Sequence, residues 1–207
     1  MNPQMAAQGG ARRKVSPFSI LLSVMVVVIL VLSVTALLFA RQAEDYHDSK
    51  YKAQFVLVDA IVSGTPLATD SIEQMLDSEL DNGYRRSAAK FSQATLEAVA
   101  DACYGIQVMY PSEQDQSMTF RALKVAFSAL ANATEDGYVQ LTDPTPELST
   151  ELRASLVSAI PIATGIATLV SAGIDPEADW MECPYDLLSG MDLEALTEQA
   201  DALMAVL

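Results

Sequence analysis

Histidine, cysteine and tryptophan are scarce in this sequence of 207 residues, which contains one histidine, two cysteines and one tryptophan. Because Ser-His-Asp and Cys-His mechanisms need a histidine as the base, any such site would have to use His47. His47 lies among the acidic and polar residues 45–48, where a solvated side chain is the ordinary interpretation. The sequence also lacks a glycine-rich phosphate loop, a GxSxG turn and an HExxH helix. It therefore predicts a protein that is not an enzyme and that carries no cofactor.

Metal-binding patterns are absent as well. The two cysteines and the histidine do not occur at the ligand spacings of zinc sites. Acidic residues are dense in segments 70–81 and 175–182, but neither segment has the central glycine and terminal glutamate of an EF-hand loop. Acidic residues at helical spacing usually form a solvated face. We therefore expect no metal site.

Basic residues are few, at 12 Lys and Arg against 27 Asp and Glu, and the formal net charge is -15. Nucleic-acid binding needs clustered Lys and Arg to neutralise phosphates, so this balance argues against a nucleic-acid partner. The charge is also unevenly distributed. Residues 1–43 contain four basic residues and no acid, so residues 44–207, with eight basic and 27 acidic residues, carry a formal charge of -19.

A long uncharged segment separates these two parts. Residues 15–40 contain no charged side chain and are mostly aliphatic. A transmembrane helix needs roughly 20 apolar residues to cross about 30 Å of hydrocarbon, so the sequence predicts a transmembrane helix over residues 17–40. Arg12, Arg13 and Lys14 precede it, and acids follow it. The positive-inside tendency then makes residues 1–16 a cytoplasmic basic tail and residues 41–207 an extracytoplasmic domain of a single-pass cell-membrane protein.

Two alternatives to this topology are a cleaved signal peptide and a second transmembrane helix. A cleaved signal peptide has an apolar region of about 7 to 15 residues and a small-x-small cleavage site; here the region is longer and the sites are poor, which favours an uncleaved signal anchor. The second uncharged segment, residues 154–174, contains Ser, Thr, Pro and Gly residues that dilute its apolarity. A second crossing would place the acidic segment 175–182 in the cytoplasm without a basic anchor, so we expect a buried helix of a bundle there.

The outer region has apolar residues that recur every three or four positions, which predicts an all-α bundle of about five or six helices. The expected helices cover residues 43–63, 70–82, 86–109, 117–134, 146–172 and 192–207. Gly64, Thr65 and Pro66 should end the first, Asp70 should start the second, and Asn82 and Gly83 should close it. Residues 138–141 could be a short extended piece, and Pro161 predicts a kink or break in the fifth helix. The expected buried stripes include Phe55 and Val58, then Phe91, Thr95 and Val99, then Phe120, Leu123, Phe127 and Leu130.

A few residues are candidates for modification or binding. Cys103 and Cys183 could form a disulfide in an extracytoplasmic domain, or they could be two separate buried thiols. Asn132 begins an Asn-Ala-Thr sequon, which has meaning only where exported proteins are glycosylated. Arg85, Arg86 and Lys90 form the one basic cluster outside residues 1–43, and they could pair with nearby acids or receive an anionic group.

The segment Lys14-Val15-Ser16-Pro17, followed by an aliphatic helix, resembles the amino-terminal segment of archaeal type IV pilins. The resemblance covers about a tenth of the chain. It implies processing before the Ser-Pro and assembly through the helix. The heads of such pilins are generally β-rich, whereas the remainder of this sequence has a helical pattern.

Three functions therefore remain open. The first is a structural or protein-interaction role, in which the membrane-anchored domain self-associates through apolar helix faces or binds a cationic protein partner. The second is a sensor-like domain that binds a small molecule between its helices. The third is a pilin-like subunit of a surface filament.

Overall fold

The computed structural model describes residues 17–112, 114–143, 146–174 and 187–207, and the secondary structure of these residues is entirely helical. The helices are α1 (Pro17–Leu76), α2 (Asn82–Gln107), α3 (Asp115–Thr142), α4 (Thr150–Ala172) and α5 (Leu193–Val206), with a short 3₁₀ helix at Leu187–Gly190 before α5. The predicted all-α class is confirmed for the described residues.

The chain divides into two units, Met1–Tyr46 and His47–Leu207. The described part of the first unit is the helical stretch of α1 from residue 17 to residue 46. Residues 1–16, with the predicted topology determinants Arg12, Arg13 and Lys14, lie outside the described residues. The second unit contains the remainder of α1 and helices α2 to α5.

Helix α1 passes through the glycine and proline at which we expected it to end. The predicted stop at Gly64 to Pro66 and the predicted start at Asp70 are both wrong, because α1 is continuous to Leu76. A proline inside a helix costs about 3 kcal/mol, since it removes one backbone hydrogen bond and crowds the preceding turn. Beyond Pro66 the helix buries Ile72 and Met75 completely, and burial of each contributes about 1.5 to 3 kcal/mol. Tertiary packing thus outweighs the local stop signal.

The residues expected to close a helix at 82 and 83 instead begin α2. The Asp81 carboxylate accepts hydrogen bonds from the backbone N–H groups of Gly83 (2.7 Å) and Tyr84 (3.3 Å), which makes Asp81 the N-cap of α2. An aspartate at this position satisfies N–H groups that have no partner inside the helix. The turn between α1 and α2 therefore lies at residues 77–81.

Helix α3 is longer than expected and includes the predicted extended piece. It continues through Gly137 to Thr142, so residues 138–141 are helical. Gly137 serves packing here: a Cβ atom at this position would lie 2.9 Å from the Met75 sulfur of α1. The following turn buries Leu141 completely. Burial against α1 therefore extends the helix through a residue that usually marks a turn.

Helix α4 starts four residues later than expected, at Thr150, because Ser149 is its N-cap and accepts a hydrogen bond from the N–H of Leu152 (3.3 Å). The helix is continuous through Pro161, so of the predicted kink or break the break is wrong, and the kink stays a prediction. Pro161 is exposed, and so is Val157, whose carbonyl loses its partner; water can reach that carbonyl at the surface. The expected end of α4 at Gly173 is confirmed. The expected start of α5 at Asp192 is also confirmed, because Asp192 is its N-cap.

In the second unit, sequence-adjacent helices α1, α2 and α3 run antiparallel to one another. Gln54 of α1 donates to the hydroxyl of Tyr110, just after α2 (2.6 Å), and farther along α1 the Ala68 carbonyl accepts from Ser92 of α2 (3.0 Å). As the residue number increases along α1, the number of its partner decreases, so the two helices are antiparallel. Asn82 donates to the Leu141 carbonyl (3.0 Å) at one end of the α2 and α3 pair.

Helix α5 lies between α3 and α4. Thr119 of α3 and Thr197 of α5 share a hydrogen bond of 3.0 Å, and Gly165 of α4 faces Gln199 of α5. At the other end, Gly137 of α3 lies beside Leu148, next to the start of α4. The helices enclose one core, whose largest fully buried side chains are Phe120, Phe127, Ile61, Ile72, Met75, Leu96, Ile106, Leu123, Leu130, Leu141, Leu156 and Ile166.

Two helical segments within the described residues, Ser49–Leu76 and Thr150–Ala172, are long and apolar enough to cross a membrane. Each of them also contributes a buried face to the core, with Ile61 and Ile72 on the first and Leu156 and Ile166 on the second. A buried core helix of a bundle can be as long and as apolar as a transmembrane helix, so these two properties do not distinguish the two cases.

Candidate functional site

A groove between α1 and α2 exposes three large apolar side chains at one place. Leu67, Tyr84 and Phe91 are each 53% exposed and lie around a groove of about 390 Å³. We call this the aromatic groove; its lining residues are Leu67, Asp70, Ser71, Gln74, Tyr84, Ser87, Ala88 and Phe91. Exposed apolar side chains that occur singly are normal on a protein surface, whereas a cluster of them commonly marks an interaction site.

The floor of the aromatic groove is held by hydrogen bonds between α1 and α2. Ser92 is buried and its hydroxyl donates to the Ala68 carbonyl at 3.0 Å. Across the groove, the Tyr84 hydroxyl donates to the Gln74 side-chain oxygen at 3.0 Å, which orients the tyrosine ring. Asp70 is exposed and is the one charged residue among those that line the groove. The groove therefore combines an apolar, aromatic surface with a single negative charge.

A second groove lies between α2 and α3 and shares Ser87 with the aromatic groove. It has a volume of about 480 Å³ and is lined by Gly83, Arg86, Ser87, Lys90 and Tyr138. We call it the cationic groove, because two of its five lining residues are basic and none is acidic. The Lys90 ammonium lies 4.2 Å from the centre of the Tyr138 ring and donates to the Gln93 side-chain oxygen at 3.2 Å.

The basic cluster predicted at Arg85, Arg86 and Lys90 is divided by the structure. Arg85 is 7% exposed and its Nε donates to the Met75 carbonyl at 2.9 Å, while Arg153 donates to the Leu76 carbonyl. Two guanidinium groups thus bind the last carbonyls of α1, where the helix dipole favours positive charge. Arg86 and Lys90 face the cationic groove instead. Arg85 therefore has a structural role that its neighbour Arg86 does not share.

The sequence assigned Phe91 to the core, and that assignment is wrong. Val99 of the same predicted stripe is buried as expected, whereas Phe91 is half exposed and the neighbouring Ser92 is buried. Phe55 of α1 is likewise 51% exposed, and the neighbouring Gln54 is buried. In each case the buried polar side chain has a hydrogen-bond partner in another segment of the chain: the Tyr110 hydroxyl after α2 for Gln54, and the Ala68 carbonyl of α1 for Ser92. The expected α3 stripe of Phe120, Leu123, Phe127 and Leu130 is confirmed as fully buried.

Cys103 has no disulfide partner among the described residues; it is completely buried in α2, and this burial raises the pKa of its thiol. Cys183 lies outside the described residues, so the disulfide between Cys103 and Cys183 stays a prediction. Asn132 is exposed on α3, while the sequon's Thr134 is buried and donates to the Ala131 carbonyl at 2.7 Å. Glycosylation of Asn132 also stays a prediction.

Metal ligands do not converge in the described part of the chain: no group of three or more His, Cys, Asp or Glu side chains there could hold a metal ion. The acidic segment 175–182 lies outside it. The acids of segment 70–81 are divided between the end of α1 and the turn before α2. Comparison of the chain with protein-family models, with curated proteins and with solved structures found no match.

Proposed function

We propose that this protein is a membrane-anchored interaction module. Residues 17–40 would hold it in the cell membrane with residues 1–16 in the cytoplasm, and the bundle outside would present the aromatic groove to a segment of a partner protein. The observation that carries the proposal is the clustering of Leu67, Tyr84 and Phe91, each half exposed, around one groove. Aromatic side chains set in a groove are the residues that dominate the binding energy of protein interfaces.

The binding energy expected from these three side chains is small and favours a weak, reversible contact over a permanent one. Burial of the exposed halves of Leu67, Tyr84 and Phe91 would contribute roughly 1 kcal/mol each. About 3 kcal/mol from these three side chains must offset the ordering cost of association, so further contacts from the partner are needed for tight binding.

Charge favours a basic partner over a second copy of this chain. Two copies that met through the aromatic groove would bring Asp70 close to Asp70, and each domain carries a formal charge of -19 over residues 44–207. A partner segment with Lys or Arg beside its apolar residues would instead gain from both Asp70 and the field of the domain. The proposed partner is therefore an apolar segment with basic flanks.

A peptide-binding experiment tests the groove. Full-length protein in zwitterionic nanodiscs would be titrated with a fluorescent amphipathic peptide of Leu and Lys, and with its Leu and Glu counterpart. We expect binding of the first peptide only, weakened about fivefold by Leu67→Ala or Phe91→Ala, which corresponds to about 1 kcal/mol. Val139→Ala and Val157→Ala are matched controls, because these valines are 53% and 54% exposed on α3 and α4.

Three outcomes would contradict the proposal. Equal binding by all four variants would assign the affinity to the net charge of the domain and not to the groove. Equal binding of both peptides would remove the charge argument. A dimer in light scattering that dissociates on Phe91→Ala would replace the basic partner by a second copy.

A labelling experiment tests the topology. In a Cys183→Ala variant the remaining cysteine, Cys103, is buried, so this variant should not react with the label by itself. Thr150→Cys, at an exposed position before the first turn of α4 is complete, should react with a membrane-impermeant maleimide in whole cells. Labelling of this variant only after lysis would place the bundle in the cytoplasm and overturn the proposed topology.

A further inference from the structure

We propose that the cationic groove between α2 and α3 binds a small oxyanion from solution, a phosphate or a carboxylate. The groove is lined by Gly83, Arg86, Ser87, Lys90 and Tyr138 and has a volume of about 480 Å³. Small-molecule sites usually measure about 300 to 1,000 Å³, so the groove has room for one small solute. The cationic groove shares Ser87 with the aromatic groove, but the proposal rests on Arg86 and Lys90, which line the cationic groove and not the aromatic one.

Arg86 is the main observation. It is half-buried and has neither a hydrogen bond nor an ion pair with any residue in the described part of the chain. The chain has 27 acidic residues, so carboxylates outnumber basic side chains by more than two to one. A guanidinium that stays unpaired in such a chain has all five of its donors available, and their planar arrangement matches the oxygens of a carboxylate or a phosphate.

Lys90 places a second positive charge on the same face. It lies four residues after Arg86, so the two side chains are neighbours on α2, and like charges at this spacing repel each other. The Lys90 ammonium is held between the Tyr138 ring, at 4.2 Å, and the Gln93 oxygen, at 3.2 Å. An oxyanion bound between Arg86 and Lys90 would remove their repulsion. The pair therefore gains stability from a ligand that the rest of the acidic surface would repel.

The other hydrogen-bond donors at this end of α2 already have acceptors within the protein. The N–H groups of Gly83 and Tyr84 are bound by the Asp81 carboxylate, so the helix N-terminus is already satisfied. The Ser87 hydroxyl donates to the Gly83 carbonyl at 3.0 Å and does not face a ligand as a donor. Recognition thus rests on Arg86 and Lys90, and the nearby Asp81 sets an upper limit on affinity through repulsion.

Thermal unfolding of the full-length protein in detergent micelles tests the proposal. Inorganic phosphate and acetate, each at about 20 mM, would be compared with NaCl at the same ionic strength; a dissociation constant of about 1 mM predicts a rise in Tm of about 5 °C. Arg86→Gln should abolish the rise and Lys90→Gln should reduce it. Arg121→Gln is the matched control, because Arg121 is exposed on α3 and its replacement changes the net charge equally.

The variants also separate binding from folding. Without ligand, Arg86→Gln should melt within about 1 °C of the wild type, because a side chain without a partner contributes little to stability. A rise that Arg86→Gln retains, or a wild-type protein that responds to neither phosphate nor acetate beyond the NaCl control, would overturn the proposal. A rise with dihexanoyl phosphatidic acid and with neither free anion would assign the groove to a lipid head group, and the free solute would be rejected.

Discussion

Replacement of Arg85 by alanine is expected to destabilise the bundle by about 2 to 4 kcal/mol, although the same replacement of its neighbour Arg86 should change stability by no more than about 0.5 kcal/mol. Arg85 is 7% exposed and donates to the Met75 carbonyl at 2.9 Å. Arg86 donates to no acceptor among the described residues. The two variants remove the same charge from adjacent positions, so their difference isolates the effect of the contacts.

The magnitude follows from two terms. A hydrogen bond from a charged donor contributes about 1.5 to 3 kcal/mol, and its loss leaves the Met75 carbonyl without that donor at the end of α1. The buried stem of Arg85 contributes about 0.8 kcal/mol for each methylene group removed. The release of a nearly buried charge into water offsets part of this loss, and Arg153 still donates to the adjacent Leu76 carbonyl.

Thermal and denaturant unfolding of the full-length protein, followed by circular dichroism, measures the difference. For a chain of this length 1 kcal/mol corresponds to about 2 to 4 °C in Tm, so Arg85→Ala should lower Tm by about 4 to 16 °C. Arg85→Lys should recover only part of the loss, because lysine lacks the fixed Nε donor. Equal Tm values for Arg85→Ala and Arg86→Ala would refute the assignment of Arg85 to the end of α1.

Three further predictions can be checked by the same unfolding measurements or by thiol chemistry. Phe127→Ala, at a fully buried position of α3, should lower the free energy of unfolding by about 3 to 5 kcal/mol, whereas Phe91→Ala should lower it by less than about 1 kcal/mol. Similar losses for the two variants would contradict the finding that Phe127 is buried and Phe91 is half exposed. Gly165→Ala should stabilise by about 0.5 to 1 kcal/mol, because its nearest neighbour is 3.6 Å from the new Cβ, whereas Gly173→Ala should destabilise by about 1 to 3 kcal/mol, because its Cβ would lie 2.9 Å from the Met191 Cα. In a Cys183→Ala background, Cys103 should react with a thiol reagent only after denaturation, because burial raises its pKa above the ordinary value near 9.0. A native protein that reacts as fast as a free thiol would contradict the burial of Cys103. The same pKa shift should lower the free energy of unfolding as the pH rises above about 9, because the unfolded thiol then ionises and the folded one does not.

The parts of the fold that could be predicted are those with strong local signals. Asp192 precedes an apolar repeat and proves to be the N-cap of α5, as expected. The α3 stripe is apolar at every expected position and is buried as predicted. The periodic pattern predicts Phe55 and Phe91 in the core, but the neighbouring polar residues Gln54 and Ser92 are buried instead. Each of these polar side chains has its hydrogen-bond partner in another segment of the chain, which the pattern of a single helix does not contain.

The candidate grooves were harder to predict for the same reason. Arg86 and Lys90 were recognised as basic residues that could receive an anion, but their separation from Arg85 depends on the carbonyls at the end of α1, ten residues earlier in sequence. The aromatic groove needs Leu67 of α1 beside Phe91 of α2. Neither neighbour relation has a local signal.

The sequence by itself determined the helical class, because apolar residues every three or four positions can form a buried stripe only on a helix. It also determined the start of α5 at Asp192, since a capping side chain acts on the backbone within three residues. Only the tertiary structure decided that α1 continues through Pro66 and α3 through Gly137, and which of two adjacent arginines is buried. The physical reason is that the gain from packing Ile72, Met75 and Leu141 between helices distant in sequence exceeds the local cost of a proline or a glycine.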